Sequence, residues 1–277
     1  MFSLQSYQAV QGAKGVVRRT DRGVLAVSGA ERAAWLQGLL TNDVSRLIDG
    51  QPVYAAYLTP QGRMISDMLV VASGDRILLD VPATLAEALR TRLDGLIFSE
   101  DVQVTNGSDT YGVWTVITPD ALSEVVAASL PASFEGLPEI DLDTFDVIRI
   151  ERGVPRFLVD MFDDTIPLEA GIEDRAISFT KGCYVGQEVI VRVTHRGGGR
   201  VAKKLVRWVA DDSAPIVPMA GARIEAAGKD VGRVTSAAFS PARSTVVGLG
   251  YVHRESADAG TELTIIWNDT RLRAVVS

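Results

Sequence analysis

Six short apolar runs separated by Gly, Asp or Asn, with no convincing helix among them, fill the chain after Arg200 and restrict that stretch to a small β-barrel. They are Leu205 to Val209, Arg223 to Ala226, Val231 to Ala238, Thr245 to Val252, Thr261 to Trp267 and Leu272 to Val276. The Thr261 run partly alternates, and Asn268-Asp269 behind it is a good hairpin turn. Gly197-Gly198-Gly199 lies at the junction, where a flexible linker is expected. It lacks the Lys-Ser/Thr ending and the preceding strand of a phosphate loop, so that reading is rejected. The expected division is residues 1–200 and 201–277.

The earlier stretch has a different texture. Val24 to Val27 reads as a short buried strand, and Ser28-Gly29-Ala30-Glu31 matches a capping box opening a helix through about Leu40. Val53 to Leu58 and Arg63 to Val71 flank Thr59-Pro60-Gln61-Gly62, a turn between antiparallel strands, and Arg76 to Val81 gives a third strand. Leu85, Leu89 and Leu93 share one face of a helix from Ala83 to Asp94, with Gly95 placed to end it. Strands follow near Val102 to Thr105 and Val113 to Ile117, then a helix near Asp120 to Leu130 that stops at Pro131. Phe145, Ile148 and Arg152 mark another helix ended by Gly153-Val154-Pro155. Short hairpin connections without the regular spacing of a doubly wound sheet predict an α+β fold, antiparallel sheets carrying helices.

Composition narrows the chemistry. A net charge of -7 argues against a dedicated nucleic-acid surface, although Arg192, His195, Arg196, Arg200, Lys203 and Lys204 form a basic island suited to an anionic ligand or to plain solvation. The opening residues lack a signal-peptide pattern and no apolar run approaches a membrane span, so a cytoplasmic protein is expected. One Cys excludes an internal disulfide framework and a four-Cys iron-sulfur cluster held by this chain alone. The two His, His195 and His253, are isolated and give no metal-ligand spacing, so no metal is expected.

That lone Cys183 lies in Lys181-Gly182-Cys183-Tyr184-Val185-Gly186-Gln187-Glu188. Flanking glycines open the backbone to a ligand or partner, and Lys181 with a following helix N-terminus would both favour the reactive thiolate. A small buried core residue is the competing explanation.

Several segments, taken in order, resemble one family. They are Ala33 to Asp43, Tyr57 to Asp67, Arg149-Ile150-Glu151-Arg152-Gly153-Val154-Pro155, Pro167-Leu168-Glu169, Lys181 to Glu188, and Val231 to Ser236. Together they look like the YgfZ-type folate-binding proteins, relatives of the aminomethyltransferase (T-protein) of the glycine cleavage system. The Lys-Gly-Cys-Tyr-x-Gly-Gln-Glu octapeptide is the specific part. The resemblance implies an aminomethyltransferase-like folate-binding fold of two intertwined modules around a central cavity, tetrahydrofolate as ligand, and a role in assembling or repairing iron-sulfur clusters of client enzymes. It also implies site residues. Glu151 matches the pterin-binding carboxylate, which can accept from a ring N–H and an exocyclic amine together. Tyr184 is placed to stack on a ring, and Arg192 and Arg196 to meet the anionic tail of folate or a client surface. Cys183, Lys181 and Asp67 are the candidate chemical groups. Aminomethyltransferases usually carry paired Asp where this chain has Ser66-Asp67, and Ser supplies no negative charge at neutral pH. Asp67 either faces the cavity or caps the turn. Whether the chain is itself an enzyme stays open: the alternative to an accessory role is a folate-dependent aminomethyltransferase acting on a small amine.

Overall fold

Alternation along a strand puts neighbouring residues on opposite faces, so a strand apolar at every position needs cover on both sides. Val24 to Val27 meets that condition in the computed structural model, which describes residues 2–196, 200–211 and 216–277. By packing, the chain divides into two compact units: residues 1–144 with 174–189, and residues 145–173 with 190–277.

The first unit begins with α1 (Leu4–Gln11), whose N-terminus is capped by Ser3. Then come β1 (Gly15–Arg18), β2 (Arg22–Ser28), α2 (Arg32–Leu39), β3 (Val53–Leu58), β4 (Met64–Ser73), β5 (Arg76–Pro82), α3 (Ala86–Asp94), β6 (Gln103–Asn106), β7 (Gly112–Ile117) and β8 (Leu122–Ala127). Five strands form an antiparallel sheet in the order β3-β4-β5-β2-β6, and three form a second, β1-β7-β8. Leu25 and Val27 of β2 join Met68, Val70, Leu79, Trp35, Leu36 and Leu93 in the core between the larger sheet and its helices. Val24 and Ala26 face the other way, against Val113 and Val126 of the smaller sheet. Each fully buried Leu or Val contributes ~1.5–3 kcal/mol, so this doubly covered strand is a major source of stability in the unit.

Two local expectations are corrected. The stretch expected as a helix from Asp120 to Leu130 is instead β8, paired with β7 through Trp114↔Val125 and Val116↔Ser123. Leu122, Val126 and Leu130 recur every four residues, a spacing that one face of a strand shares with a helix. The adjacent β-branched Val125 and Val126 and the available edge of β7 decide for the strand. Likewise, the capping box at Ser28 does not form. Gly29 turns with φ +101°, and a Cβ there would lie 2.0 Å from the Asp101 carbonyl oxygen, so Ser28 ends β2 opposite Gln103. Glu31 accepts from the Asp101 backbone N–H at 2.7 Å, and α2 starts without a side-chain cap.

Next in the chain is α4 (Leu142–Glu151), started by Asp141, which accepts from the Thr144 N–H. Short helices α5 (Glu173–Ala176) and α6 (Gln187–Val191) and a π-helical turn over Arg192–Arg196 precede the barrel. The second unit contains β9 (Lys203–Ala210), β10 (Arg223–Ala226), β11 (Lys229–Ser240), β12 (Thr245–His253), β13 (Glu262–Trp267) and β14 (Thr270–Val276). They close as β10-β11-β12-β9-β14-β13, the barrel expected from their punctuation. Asn268 takes φ +52° at the expected hairpin. The Gly197-Gly198-Gly199 linker lies outside the described residues. Inside the barrel Trp208 is fully buried, and Gly248 makes room for its ring, which a Cβ would meet at 2.2 Å.

Outside the strands the unit is tied by one guanidinium. Arg149, 1% exposed, donates from Nε to Asp146 at 2.6 Å, from Nη1 to Asp160 at 2.6 Å and the Val154 carbonyl at 3.1 Å, and from Nη2 to Ser236 at 2.9 Å. Among the described residues no helix is long and apolar enough to cross a membrane. Replacing Arg149 by Leu leaves the Asp160 carboxylate buried without its counter-charge, at a cost of about 3–5 kcal/mol. Urea unfolding of the variant should show that loss, and a wild-type midpoint would remove Arg149 from this structural role.

Candidate functional site

The octapeptide of Cys183 is built on carbonyls that a helix cannot satisfy for itself. At the end of α2, the Lys181 ammonium donates to the carbonyls of Gln37 at 2.7 Å, Leu40 at 2.7 Å and Asn42 at 2.8 Å. Burial lowers Lys181 to about 8, opposed by the negative Asp43. Only the ammonium has three donors for those acceptors, so the bonds themselves favour the charged form. Further links run alongside. The Thr41 hydroxyl donates to the Ala176 carbonyl at 2.6 Å and accepts from Ala56 N–H at 2.8 Å, and the Thr41 carbonyl accepts from Ser178 N–H. The Asn42 amide donates to the carbonyls of Tyr54 and Arg175. Thr41-Asn42-Asp43 and the Lys181 loop, distant in sequence, are thus one local structure.

Cys183 in that loop is exposed. Its neighbour Tyr184 is only 7% exposed, with burial pushing its phenol up to about 12, and the Lys181 ammonium lies 5.4 Å from the ring centroid. The expected helix N-terminus beside the thiol is corrected: residues 181–184 are irregular, and α6 starts only at Gln187 and has five residues. The two glycines also differ. Gly186 takes φ +85°, where a Cβ would sit 2.6 Å from the Thr59 carbonyl oxygen, so the backbone there is approached by the chain itself and not left open to a ligand or partner. Gly182 has nothing within 4 Å of a Cβ, so no crowding inside the chain demands glycine there.

Asp67 sits mid-strand in β4, opposite Ala56 and 5% exposed, which removes the turn-capping alternative. Its carboxylate accepts from Arg22 Nη1 at 2.9 Å and from the Tyr54 hydroxyl at 3.0 Å. The same Arg22 donates from Nε to Asp80 at 2.6 Å. Burial alone would lower the guanidinium, but the two carboxylates outweigh it and raise it further. Arg175 lies over the Tyr54 ring at 4.3 Å. Ser66 is fully buried and donates to the Asp67 carbonyl. Neither Arg22 nor Tyr54 stands out in the sequence. Tyr54 comes diagonally across from Asp67 only through the one-residue register shift between Tyr57 and Leu58, which the turn residues do not announce.

Glu151, in the second unit, is the last residue of α4 and is half-buried. Its carboxylate accepts from the Ser240 hydroxyl, and its carbonyl from Arg207 Nη1 at 2.8 Å. Glu151 and Cys183 therefore belong to different compact units. Arg192 is exposed at the start of the π-helical turn, and the Arg196 side chain lies outside the described residues. In the basic island, Lys203 is occupied by Asp164 at 3.4 Å and by the Tyr251 ring at 4.9 Å. Among the described residues no group of three or more His, Cys, Asp or Glu is arranged to hold a metal ion.

Residues 2–135 match the GCVT N-terminal domain, and residues 203–277 match the glycine cleavage T-protein C-terminal barrel domain. An aminomethyltransferase of Shouchella clausii is 27% identical over 98% of this chain and 87% of its own. A mitochondrial iron-sulfur cluster assembly factor IBA57 homolog of Neurospora crassa is 26% identical over 75% of this chain and 56% of its own. The crystal structure of glycine cleavage system aminomethyltransferase T from Bartonella henselae superposes with a TM-score of 0.82 at 19% identity, covering 99% of this chain and 87% of that one.

Replacing Lys181 by Met keeps the length of the side chain and removes its donors. Amide exchange should then accelerate at residues 37–43 and 175–184, and Cys183 should react faster with iodoacetamide as the loop loosens. Slower alkylation would show instead that the ammonium acts on the thiol.

Proposed function

We propose that this chain, which belongs to the glycine cleavage T-protein family, binds tetrahydrofolate and serves the assembly or repair of iron-sulfur clusters in client enzymes. The observation that carries the reading is an exposed thiol in a loop whose neighbouring Lys181 is committed to backbone carbonyls. A surface thiol suits ligation of a cluster shared with a client, or exchange with a client disulfide, better than it suits packing. The open surroundings of Gly182 and the likeness to an iron-sulfur assembly factor support the same reading.

Folate fits the residues present. The half-buried Glu151 offers two acceptor oxygens to the donor edge of a reduced pterin, and exposed Arg192 suits the anionic tail. Tetrahydrofolate would supply one-carbon chemistry; the chain's own part is to bind and orient it. Asp67 fits a catalytic carboxylate less well, because Arg22 and Tyr54 already engage both its oxygens.

A second reading, a folate-dependent aminomethyltransferase acting on a small amine, is favoured by the likeness to aminomethyltransferases over nearly the full chain and by a second carboxylate, Asp80, beside Asp67 on Arg22. Formation of methylene-tetrahydrofolate from candidate amines separates the two, since the accessory reading expects none.

Glu151→Gln removes the charge and one acceptor, so tetrahydrofolate affinity should fall roughly tenfold to a hundredfold, the worth of a hydrogen bond to a charged group. Unchanged affinity by titration calorimetry would sink the assignment of Glu151. Cys183→Ala should lower the activity of an iron-sulfur client in cells while the melting temperature stays put, as expected for an exposed side chain. Full client activity would take the thiol out of the mechanism.

A further inference from the structure

Ser240 ends β11 and is fully buried, opposite Thr245 across the turn into β12. A hydroxyl has one proton and two lone pairs. The backbone N–H of Arg243, inside that turn, donates to Ser240 Oγ at 3.1 Å and takes a lone pair. The single proton of the hydroxyl is directed to the Glu151 carboxylate. With the Arg243 N–H on one lone pair and the Ser240 proton on the carboxylate, the β11–β12 turn holds the Glu151 side chain in one orientation.

The backbone of Glu151 is fixed from the same barrel. Arg207 of β9 donates to the Glu151 carbonyl from Nη1 and to the Ser277 hydroxyl from Nε at 2.9 Å. Gly153, with φ +70°, lets the chain leave the helix directly over the Arg207 stem, where a Cβ would meet Arg207 Cδ at 3.6 Å. Main chain and side chain of one residue are therefore held by two barrel strands, neither of which the family motif around Glu151 contains.

We infer that Ser240 is a positioning residue for ligand binding: by donating to Glu151 it orients that carboxylate toward the donor edge of a pterin. The inference rests on the proposed role of Glu151. It adds that, while α4 fixes where Glu151 sits, the β11–β12 turn fixes how its carboxylate is oriented.

A double-mutant cycle on the full chain, with tetrahydrofolate titrated into each variant, tests it. Ser240→Ala should weaken binding about tenfold, the effect of one hydrogen bond to a charged group. Ser240→Thr, which keeps the hydroxyl, should restore affinity to within about threefold of wild type. In a Glu151→Ala background, Ser240→Ala should change affinity less than about twofold, because its effect passes through the missing carboxylate. Equal losses by Ser240→Ala with and without Glu151 would mark a purely structural effect and overturn the inference. So would wild-type binding by Ser240→Ala while Glu151→Ala binds poorly; in that case the role of Glu151 stands and only Ser240 is dismissed. If Glu151→Ala binds normally, both fall together. Should Ser240→Ala fail to fold, Ser240→Thr and Ser240→Cys carry the cycle, with the weaker S–H donor expected to bind worse than the hydroxyl, and equal binding counting against the inference.

Discussion

A buried guanidinium has no tolerable state except one in which its N–H groups are met, and Arg149 is met from four directions. Its partners come from its own helix, from the turn after it, from Asp160 and from a barrel strand. Asp160 in turn accepts from the Thr235 and Ser236 hydroxyls and from the Arg156 N–H. Removing Arg149 takes the counter-charge from the fully buried Asp160, so the end of α4, the loop of Asp160 and β11 hold together as a unit. Glu151 lies two residues beyond Arg149 on that helix and inherits its fixed position.

The first unit follows the same logic with different groups. An ammonium gathers the carbonyls at the end of α2, a threonine and an asparagine stitch β3 to α5, and Arg22 balances a pair of carboxylates. The apolar cores give both units their stability, yet these polar clusters decide which loop stands where. A hydrophobic layer tolerates small slips, whereas a saturated donor does not. It follows that the octapeptide around Cys183 is shaped by a helix more than a hundred residues earlier, and that its exposed thiol is a consequence of buried neighbours.

What could be read in the sequence was local. The barrel strands announced themselves by Gly, Asp and Asn punctuation, the β3–β4 hairpin by its Pro and Gly, and α3 by leucines on one face. The segment over 122–127 is a strand and not the expected helix because Val125 and Val126 are β-branched and the edge of β7 is there to pair with. The capping box failed for a similar reason, as Gly29 must turn beneath Asp101, far along the chain. Of the site, Cys183, Glu151 and Asp67 were visible as residue types in motifs. The grip of Lys181 on the 37–42 carbonyls, Arg22 under Asp67, and Ser240 behind Glu151 were not, since no spacing rule links donors to acceptors so far apart.

The sheet order β3-β4-β5-β2-β6 has a bearing on how the protein is made. On a ribosome, β2 emerges well before either strand that will flank it, and β9 likewise waits for β14 to close the barrel. During that interval β2 is an apolar ribbon with bare edges, a state that invites intermolecular pairing, whereas Lys203, Lys204 and Arg207 protect β9. Translation speed and chaperone supply should therefore govern the yield of this protein more than the strength of its finished cores.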